Sequence, residues 1–314
     1  MNILLLDRTD ELLADQLRAA GHRVTEVLTG SRSEVLGVLP RFEGVILRSR
    51  FDIDAEFLRH APRLRFVGRL GVGIEHIDTV AAAAHGVAVL NTPEGSMRAV
   101  AEHAVGLLLG LLRHIPRAAA EVKTDRWRRR PNWGSEIRGK TVGLLGYGNT
   151  GTHTARLLHA FGATVLVHDK YRADYGDAYA TAVSVAELQA RADVLSLHIF
   201  YEPDNHYLIN DSFIAGFAKP FWLVNTARGK VVETAALVRG LRDGRIRGAG
   251  LDVNEYEEQS FAKFDPTRLP ADWQYLKSAD NVILTPHIAG LTHESMARHG
   301  GVMIEKIAAL FGDG

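Results

Sequence analysis

The chain has 314 residues, enough for two domains of ordinary size, and its 46% hydrophobic and 24% charged content is typical of globular proteins. Basic and acidic residues both number 37, a balance that gives no indication of nucleic-acid or membrane-surface binding. The absence of cysteine excludes disulfides, thiolate metal sites and a cysteine nucleophile, so we expect a cytoplasmic protein that holds no metal.

Strands and helices alternate in the first third of the chain. Apolar segments predict strands at residues 2–6, 24–28, 44–47, 65–67 and 87–90, and helical spacing predicts helices at 11–20, 32–39, 55–60 and 79–85. This alternation is typical of a parallel sheet covered by helices on both faces. Residues 1–98 are therefore predicted to form one α/β domain.

A turn-rich segment and a long apolar helix follow. Residues 92–96 (TPEGS) have turn chemistry and are predicted to form a hinge. Residues 97–112 predict a helix that is apolar nearly all round, which must be buried between domains or against a second subunit. We therefore expect a homodimer through this helix. Glu102 and His103 are interpreted as polar residues at the helix entrance rather than as catalytic groups.

A basic and aromatic segment, RWRRR at residues 126–130 followed by Trp133, precedes the second half of the chain. Most such segments are solvated surface, and that is the interpretation we favour. The alternative is that the segment borders an anionic substrate or the partner subunit.

The sequence VGLLGYGNTG at residues 142–151 predicts a dinucleotide site. Gly146, Gly148 and Gly151 follow the G-x-G-x-x-G pattern between an apolar strand and a helix-compatible segment. The first glycine permits a sharp turn, the second lets a pyrophosphate approach the backbone, and the third lets the helix pack closely on the sheet. The N-terminus of the helix then presents N–H groups to the anion.

An acid follows the next predicted strand at the spacing expected for ribose binding. The Asp169 carboxylate can accept hydrogen bonds from the adenosine ribose hydroxyls, and its charge would repel a 2′-phosphate. Lys170 and Arg172 beside it leave NADP open as the alternative, but the acid favours NAD.

The second half of the chain again alternates. Strands are predicted at residues 141–145, 164–168, 194–198, 222–225, 249–253 and 282–284, with helices between them, the clearest at 233–241. Six strands with a glycine fingerprint at the first turn match the doubly wound dinucleotide-binding pattern. A last helix, predicted at residues 293–310, is expected to return to the first domain.

Three charged or titratable groups follow the carboxyl ends of predicted strands, where parallel sheets bind ligands. They are Arg228, an acid among Glu255, Glu257 and Glu258, and His287. Such a set is what the oxidation of a hydroxy acid needs. The histidine removes the hydroxyl proton, the carboxylate orients the imidazole, and the arginine holds the substrate carboxylate.

The chain resembles the D-isomer-specific 2-hydroxyacid dehydrogenase family, especially its phosphoglycerate dehydrogenase-like members. The ordered motifs that carry the resemblance are LRSR at 47–50, GVG at 71–73, the glycine fingerprint, NTARG at 225–229 and TPHI at 285–288. The resemblance implies an α/β fold of two doubly wound parallel-sheet, Rossmann-like domains. Its discontinuous substrate domain would comprise residues 1–98 with 287–314, and its NAD-binding Rossmann domain residues 99–286.

The resemblance also implies roles for individual residues. The catalytic set falls on Arg228, Glu257 and His287. The expected substrate-binding residues are Arg48, Ser49, Arg50, Gly71, Val72, Gly73, Arg228 and His287. The expected NAD-binding residues are Gly146, Tyr147, Gly148, Asn149, Thr150, Gly151, Asp169, Lys170, His198, Thr226, Ala227, Arg228, Asp252, His287 and Gly290.

Two departures from the family pattern leave alternatives open. The family often has proline after the catalytic glutamate, where this chain has Glu258, so Glu255 and Glu258 remain possible partners of the histidine. Ser96 stands where phosphoglycerate-oxidising members tend to have asparagine. The expected activity is therefore NAD-dependent hydride transfer with a small D-2-hydroxy acid, 3-phosphoglycerate first and glyoxylate or hydroxypyruvate next. An NAD-sensing binding protein of the corepressor type is the alternative from another class.

Overall fold

The structure is a computed structural model that describes residues 1–8, 11–257 and 269–312. These residues form two compact units. The first unit contains Met1–Met97 and the chain from Leu291 onward, and the second contains Arg98–Glu257 and the chain up to Gly290. Within the part of the chain that is described, no helix is both long enough and apolar enough to cross a membrane.

Twelve strands lie within the described residues. They are β1 (Asn2–Leu5), β2 (Arg23–Glu26), β3 (Gly44–Leu47), β4 (Phe66–Arg69), β5 (Ala88–Asn91), β6 (Thr141–Leu145), β7 (Thr164–His168), β8 (Thr181–Ala182), β9 (Val194–Leu197), β10 (Phe221–Asn225), β11 (Ile246–Leu251) and β12 (Val282–Leu284).

The same residues contain twelve α-helices. They are α1 (Glu11–Ala19), α2 (Arg32–Val38), α3 (Ala55–Arg59), α4 (Thr79–Ala84), α5 (Pro93–Leu112), α6 (Ile115–Val122), α7 (Asn149–Ala160), α8 (Val185–Arg191), α9 (Asp211–Ala215), α10 (Thr234–Arg242), α11 (Ala271–Ser278) and α12 (His293–Phe311).

The first unit is built on a five-stranded parallel sheet of order β2-β1-β3-β4-β5. Alternate side chains of β1 enter cores on the two faces of this sheet, as the period of two of a strand requires. Leu4 joins one core, whereas Ile3 and Leu5 join the other. The second of these cores also contains Met303 and Ile307 of α12, so the last helix returns to the first unit.

The second unit is built on a seven-stranded parallel sheet of order β12-β11-β10-β9-β6-β7-β8. The chain reverses its direction of winding between β6 and β9, which are neighbours in the sheet. In open parallel sheets, ligands bind outside the carboxyl ends of the strands at such a switch point. The predicted α/β class with two Rossmann-like parallel sheets is therefore confirmed.

Three predictions about elements need correction. The turn predicted at residues 92–96 is replaced by helix from Pro93 onward, because proline's fixed φ and missing N–H suit the first turn of a helix. The apolar helix needs no second subunit to cover it, since most of its leucines and alanines are buried within this single chain. The short edge strand β8 was missed because its two residues carry no apolar run.

Candidate active site

The glycine loop between β6 and α7 fits a dinucleotide. A side chain at Gly146, where φ is +94°, would put its Cβ 2.3 Å from the His198 carbonyl oxygen, and one at Gly151 would lie 2.2 Å from the Gly146 carbonyl oxygen. A Cβ at Gly148 would meet no atom of the described chain within 4 Å. Gly148 is also the N-cap of α7, and as a glycine it has no side chain that could accept hydrogen bonds from the first amides of the helix. The space beside Gly148 and these first amides therefore suit a pyrophosphate.

Asp169 lies beside this loop, directly after β7. Its two carboxylate oxygens accept hydrogen bonds from the backbone amides of Tyr147, at 2.8 Å, and Tyr171, at 2.9 Å. The neighbouring cations are engaged by other groups: Lys170 Nζ lies 3.6 Å from Glu202 Oε2, and Arg172 donates to the Tyr147 carbonyl oxygen at 2.5 Å. The carboxylate is thus held in place at the position where a ribose would bind.

Two buried polar atoms at the carboxyl ends of β9 and β10 have no hydrogen-bond partner among the described residues. They are Nδ1 of His198 and Oγ1 of Thr226. Ala227, another residue expected to bind NAD, directly follows Thr226. Burial lowers the pKa of His198 to about 4, so its ring is neutral near pH 7. Because buried polar atoms are nearly always satisfied, these two atoms are suited to a polar ligand in the crevice. Asn149 and Thr150, also predicted to contact the cofactor, are the first two residues of α7.

His287 and Glu257 form a hydrogen-bonded pair. The Nδ1 atom of His287 lies 2.6 Å from Oε2 of Glu257, and the two side chains are 29% and 16% exposed. Glu255 is engaged elsewhere, since its Oε2 accepts the backbone amide of Thr234 at 2.8 Å. Glu258, the third acid that the sequence left open, lies outside the described residues. An ionised carboxylate at Nδ1 fixes the ring and directs Nε2 to proton transfer.

The loop after β12 holds His287 in an uncommon conformation. Its φ is +55°, in the left-handed region that side chains other than glycine rarely adopt. Asp252, which is fully buried, maintains this loop: its carboxylate accepts the amides of Ile288 at 3.0 Å and Ala289 at 2.7 Å. Its backbone carbonyl also accepts the His287 amide at 2.8 Å. His287 is therefore held by the residue that directly follows β11 as well as by its own loop. Gly290, which was also expected to contact NAD, directly follows Ala289 in this loop.

A further member of this network was missed from the sequence. His103 of α5 lies with Nε2 3.0 Å from the Thr285 hydroxyl and 3.5 Å from Asp252. The Thr285 hydroxyl in turn donates to Asp252 at 2.5 Å. The interpretation of His103 as a helix-entrance residue was therefore incomplete. The partner residues are 149 or more positions away along the chain, so no local signal could indicate the contact.

Arg228 follows β10, the neighbour of β11 in the sheet. Its backbone carbonyl accepts from the Asn225 side chain at 3.0 Å, and its guanidinium donates to the Ala227 carbonyl at 2.8 Å. The segment after β11 packs closely against the following residue, Gly229. A Cβ at Gly229 would lie 1.8 Å from the Asn254 carbonyl oxygen. Arg228, Glu257 and His287 thus follow three adjacent strands, β10, β11 and β12, at their carboxyl ends.

The predicted substrate-binding residues of the first unit follow β3 and β4. Asp7 organises the β3 exit: one carboxylate oxygen accepts the amides of Arg48, at 2.6 Å, Ser49, at 3.2 Å, and Arg50, at 3.4 Å. Sequence reasoning did not identify this aspartate. It is an acid directly after a predicted strand, a signal that was used only in the second half of the chain.

Two details of this region bear on the predicted roles. The Arg50 guanidinium donates to the carbonyl oxygens of Leu6 at 2.9 Å, Val27 at 2.6 Å and Gly30 at 2.5 Å, so it holds neighbouring loops together. In the exit of β4, Thr92 Oγ1 accepts the Gly71 amide at 2.8 Å, and the Val72 carbonyl oxygen accepts from Asn91 at 2.8 Å. Gly73 completes this exit and is buried.

The comparisons with known proteins agree with this geometry. Residues 105–289 match the family described as D-isomer specific 2-hydroxyacid dehydrogenase, NAD binding domain. The D-3-phosphoglycerate dehydrogenase of Archaeoglobus fulgidus is 35% identical over 98% of this chain and 56% of its own length. The hydroxypyruvate reductase of Thermotoga maritima is 34% identical over 88% of this chain and 87% of its own.

A similar fold is found among solved structures. The D-lactate dehydrogenase of Aquifex aeolicus, complexed with NAD and lactic acid, has a TM-score of 0.80 and 28% identity, covering 100% of this chain and 96% of that one. The chain spans about half the length of the curated phosphoglycerate dehydrogenases that it matches.

Proposed function

Because the chain belongs to the D-isomer specific 2-hydroxyacid dehydrogenase family, we propose that it transfers a hydride between NAD and a small D-2-hydroxy acid or its 2-keto partner. The observation that carries this proposal is the contact of 2.6 Å between His287 and Glu257 after two adjacent strands. NAD, when bound, supplies the hydride acceptor for oxidation and the hydride donor for reduction.

The residues of this chain would move the proton. In oxidation, Nε2 of His287 accepts the proton of the substrate hydroxyl while C2 loses its hydride and the carbonyl forms. Glu257 stabilises the resulting imidazolium through Nδ1. Arg228 holds the substrate carboxylate by paired hydrogen bonds and polarises the carbonyl in the reverse direction. In reduction, the same histidine returns the proton to the carbonyl oxygen.

The substrate that we propose first is 3-phosphoglycerate. It is supported by the identity of about one third with several proteins named D-3-phosphoglycerate dehydrogenase. Arg48, which is half-buried at the exit of β3, would bind the phosphate. The neighbouring Arg50 is instead engaged by three carbonyl oxygens.

Reduction of hydroxypyruvate or glyoxylate is the second candidate. It is favoured by the Thermotoga maritima hydroxypyruvate reductase, which matches this chain over 87% of its own length, whereas the phosphoglycerate dehydrogenases match over about half of theirs.

Steady-state reduction with NADH separates the two candidates. We expect kcat/KM for phosphohydroxypyruvate to exceed that for hydroxypyruvate by roughly tenfold or more, the value of one charge-assisted hydrogen bond. Arg48→Ala should remove this preference, and Arg41→Ala, an exposed arginine of the same unit, should keep it. A preference for hydroxypyruvate or glyoxylate in the unaltered protein would select the second candidate.

We also propose that the protein is a homodimer, although the reason differs from the one that the sequence indicated. Helix α5 is largely buried within the chain, but Trp127 and Trp133 are each 79% exposed, and Ile115 and Val122 are about half exposed. Exposed aromatic and aliphatic side chains in one segment are typical of an interface. Light scattering at micromolar concentration should give twice the chain mass, and Trp133→Glu should lower it. A monomeric mass for the unaltered protein would refute this proposal.

A further inference from the structure

A cavity of about 280 Å³ lies in the second unit, and none of the candidate catalytic or NAD-binding residues lines it. It is lined by the ends of α5 and α11, by α6 and the segment after it, and by the beginnings of three strands. The lining includes five basic side chains and one tryptophan: Arg117, Arg126, Arg128, Arg247, Lys277 and Trp222.

The cavity is at the opposite edge of the sheet from the candidate catalytic residues. Trp222, Arg247 and Val282 lie at the amino ends of β10, β11 and β12, whereas the catalytic set follows the carboxyl ends of the same strands. At 3.3 Å per residue, Arg247 and Leu251 at the two ends of β11 are about 13 Å apart. A molecule bound here is therefore neither the hydroxy acid nor the nicotinamide.

The lining is strongly positive. Five arginine and lysine side chains face two acids, Glu121 and Asp280. Glu121 is buried and already satisfied, because Arg128 and the Asn132 side chain both donate to its carboxylate. Among the described residues, no carboxylate forms an ion pair with Arg126, Arg247 or Lys277.

Several of these cations are held in position before any ligand binds. Arg117 donates to the Asn132 side chain at 3.0 Å and to the Pro131 carbonyl oxygen at 2.5 Å. The Arg247 guanidinium lies 4.8 Å from the centre of the Trp222 ring. Burial lowers the pKa of His114, also in the lining, and the charge of Arg117 lowers it further, so this histidine adds no charge near neutral pH. Such preorganisation reduces the entropy lost when an anion is bound.

We propose that this cavity binds a small anion with two or more negative charges carried by phosphate or carboxylate groups. Guanidinium groups bind these oxyanions through paired hydrogen bonds, and the three cations without an ion pair supply the charge. The volume is at the low end for ligand sites, which suits a compact polyanion. A stacked nucleobase is disfavoured, because Arg247 and Lys140 already lie over the Trp222 ring. The basic segment at 126–130 thus borders an anion site, but not the catalytic one.

Isothermal titration of the full chain with inorganic pyrophosphate and, separately, with citrate tests the proposal and distinguishes phosphate from carboxylate recognition. Saturating NADH in both solutions keeps pyrophosphate off the glycine loop. We expect saturable binding of at least one probe, weakened roughly tenfold or more by Lys277→Ala or Arg126→Ala, since each removes a charge-assisted hydrogen bond. Both side chains are exposed, so the variants should fold.

The matched control is Lys123→Ala. It removes an exposed lysine that directly follows α6 and does not line the cavity. It should leave the affinity unchanged. The proposal is overturned if neither probe binds in the presence of NADH, or if Lys123→Ala weakens binding as much as Lys277→Ala. It is also overturned if light scattering finds a dimer that binds no probe while Trp133→Glu monomers do, because a second copy would then cover the cavity.

Discussion

At the scale of single residues, the three fingerprint glycines are needed for different reasons. Gly146 and Gly151 are required by the chain itself, because a Cβ at either would lie within 2.3 Å of a backbone oxygen. Gly148 has open space beside it within the described chain, so only a bound molecule requires it to lack a side chain.

This difference predicts different results for two variants. Gly148→Ala should lower the free energy of unfolding by only about 0.5–1 kcal/mol, because alanine is a weaker N-cap than glycine but meets no steric clash at this position. Its affinity for NADH, followed by fluorescence titration, should fall roughly tenfold or more, because the pyrophosphate loses amide hydrogen bonds. Gly151→Ala should instead destabilise the fold by about 1–3 kcal/mol through overpacking. Unchanged NADH affinity in Gly148→Ala would show that the loop binds no dinucleotide.

A second prediction at this scale concerns His198 and pH. Burial lowers its pKa to about 4 in the folded chain, whereas an exposed histidine titrates near its ordinary value of about 6.5. Between these two values the unfolded chain binds a proton that the folded chain excludes. The free energy of unfolding should therefore fall as the pH falls through this window, by roughly 3 kcal/mol at most from this group.

Urea unfolding followed by tryptophan fluorescence measures this effect, because residues 127, 133, 222 and 273, the four tryptophans of the chain, all belong to the second unit. His198→Gln cannot titrate, yet it keeps a polar group near the Ser196 hydroxyl, which lies 2.9 Å from Nε2. The loss of stability between pH 6.5 and 4 should be smaller in this variant. If the two proteins show the same pH dependence, His198 is not the group responsible.

Some residues of the candidate site could be predicted from the sequence, whereas the choice between neighbouring acids could not. The positions of Arg228 and His287 could be predicted, because each is the first charged or titratable residue after an apolar strand. The choice among Glu255, Glu257 and Glu258 could not, because three acids within four positions of one strand exit have the same signal. The structure separates two of them through their contacts: Glu255 caps the amide of Thr234, and Glu257 contacts His287.

At the scale of elements, the alternation of strands and helices was predictable because each element has its own apolar period. The start of α5 was not, since the TPEGS segment satisfies turn chemistry and helix-start chemistry equally well, and proline suits the first turn of a helix. The apolar surface of α5 was taken to require a second subunit, but most of its leucines and alanines are buried within this chain. A helix that packs on one face of a sheet can be covered by that sheet, as the leucines of α5 are by Val142 and Leu144 of β6.

Two elements cooperate through Asp252. This residue directly follows β11, and its carboxylate accepts the amides of Ile288 and Ala289 in the loop after β12. Asp252→Asn should therefore leave one of these two amides without its acceptor. We expect the free energy of unfolding to fall by about 1–3 kcal/mol and kcat to fall at least tenfold as the left-handed His287 relaxes. Urea unfolding and steady-state rates measure the two effects, with the exposed Asp243→Asn as the control. Full activity in Asp252→Asn would mean that the loop keeps His287 in place without it.

At the scale of the whole molecule, the sequence predicted two parallel α/β sheets, and the family comparison and the strand topology agree with that prediction. Roles that depend on contacts between distant segments could not be predicted. Arg50 resembles a substrate cation in sequence but donates to three carbonyl oxygens of two other segments. Asp7 holds the loop at 48–50 from 41 or more residues away. Polar contacts of this kind leave no periodic pattern.

The central claim is that His287, paired with Glu257, transfers the proton that accompanies hydride transfer. It is tested most directly by measuring NADH consumption with a saturating 2-keto acid for the unaltered protein and for His287→Gln. We expect kcat to fall by roughly 10²–10⁴-fold in the variant, the usual contribution of general acid–base catalysis, while NADH affinity stays the same. A His287→Gln variant that keeps its kcat would contradict the account, because another group would then have to move the proton.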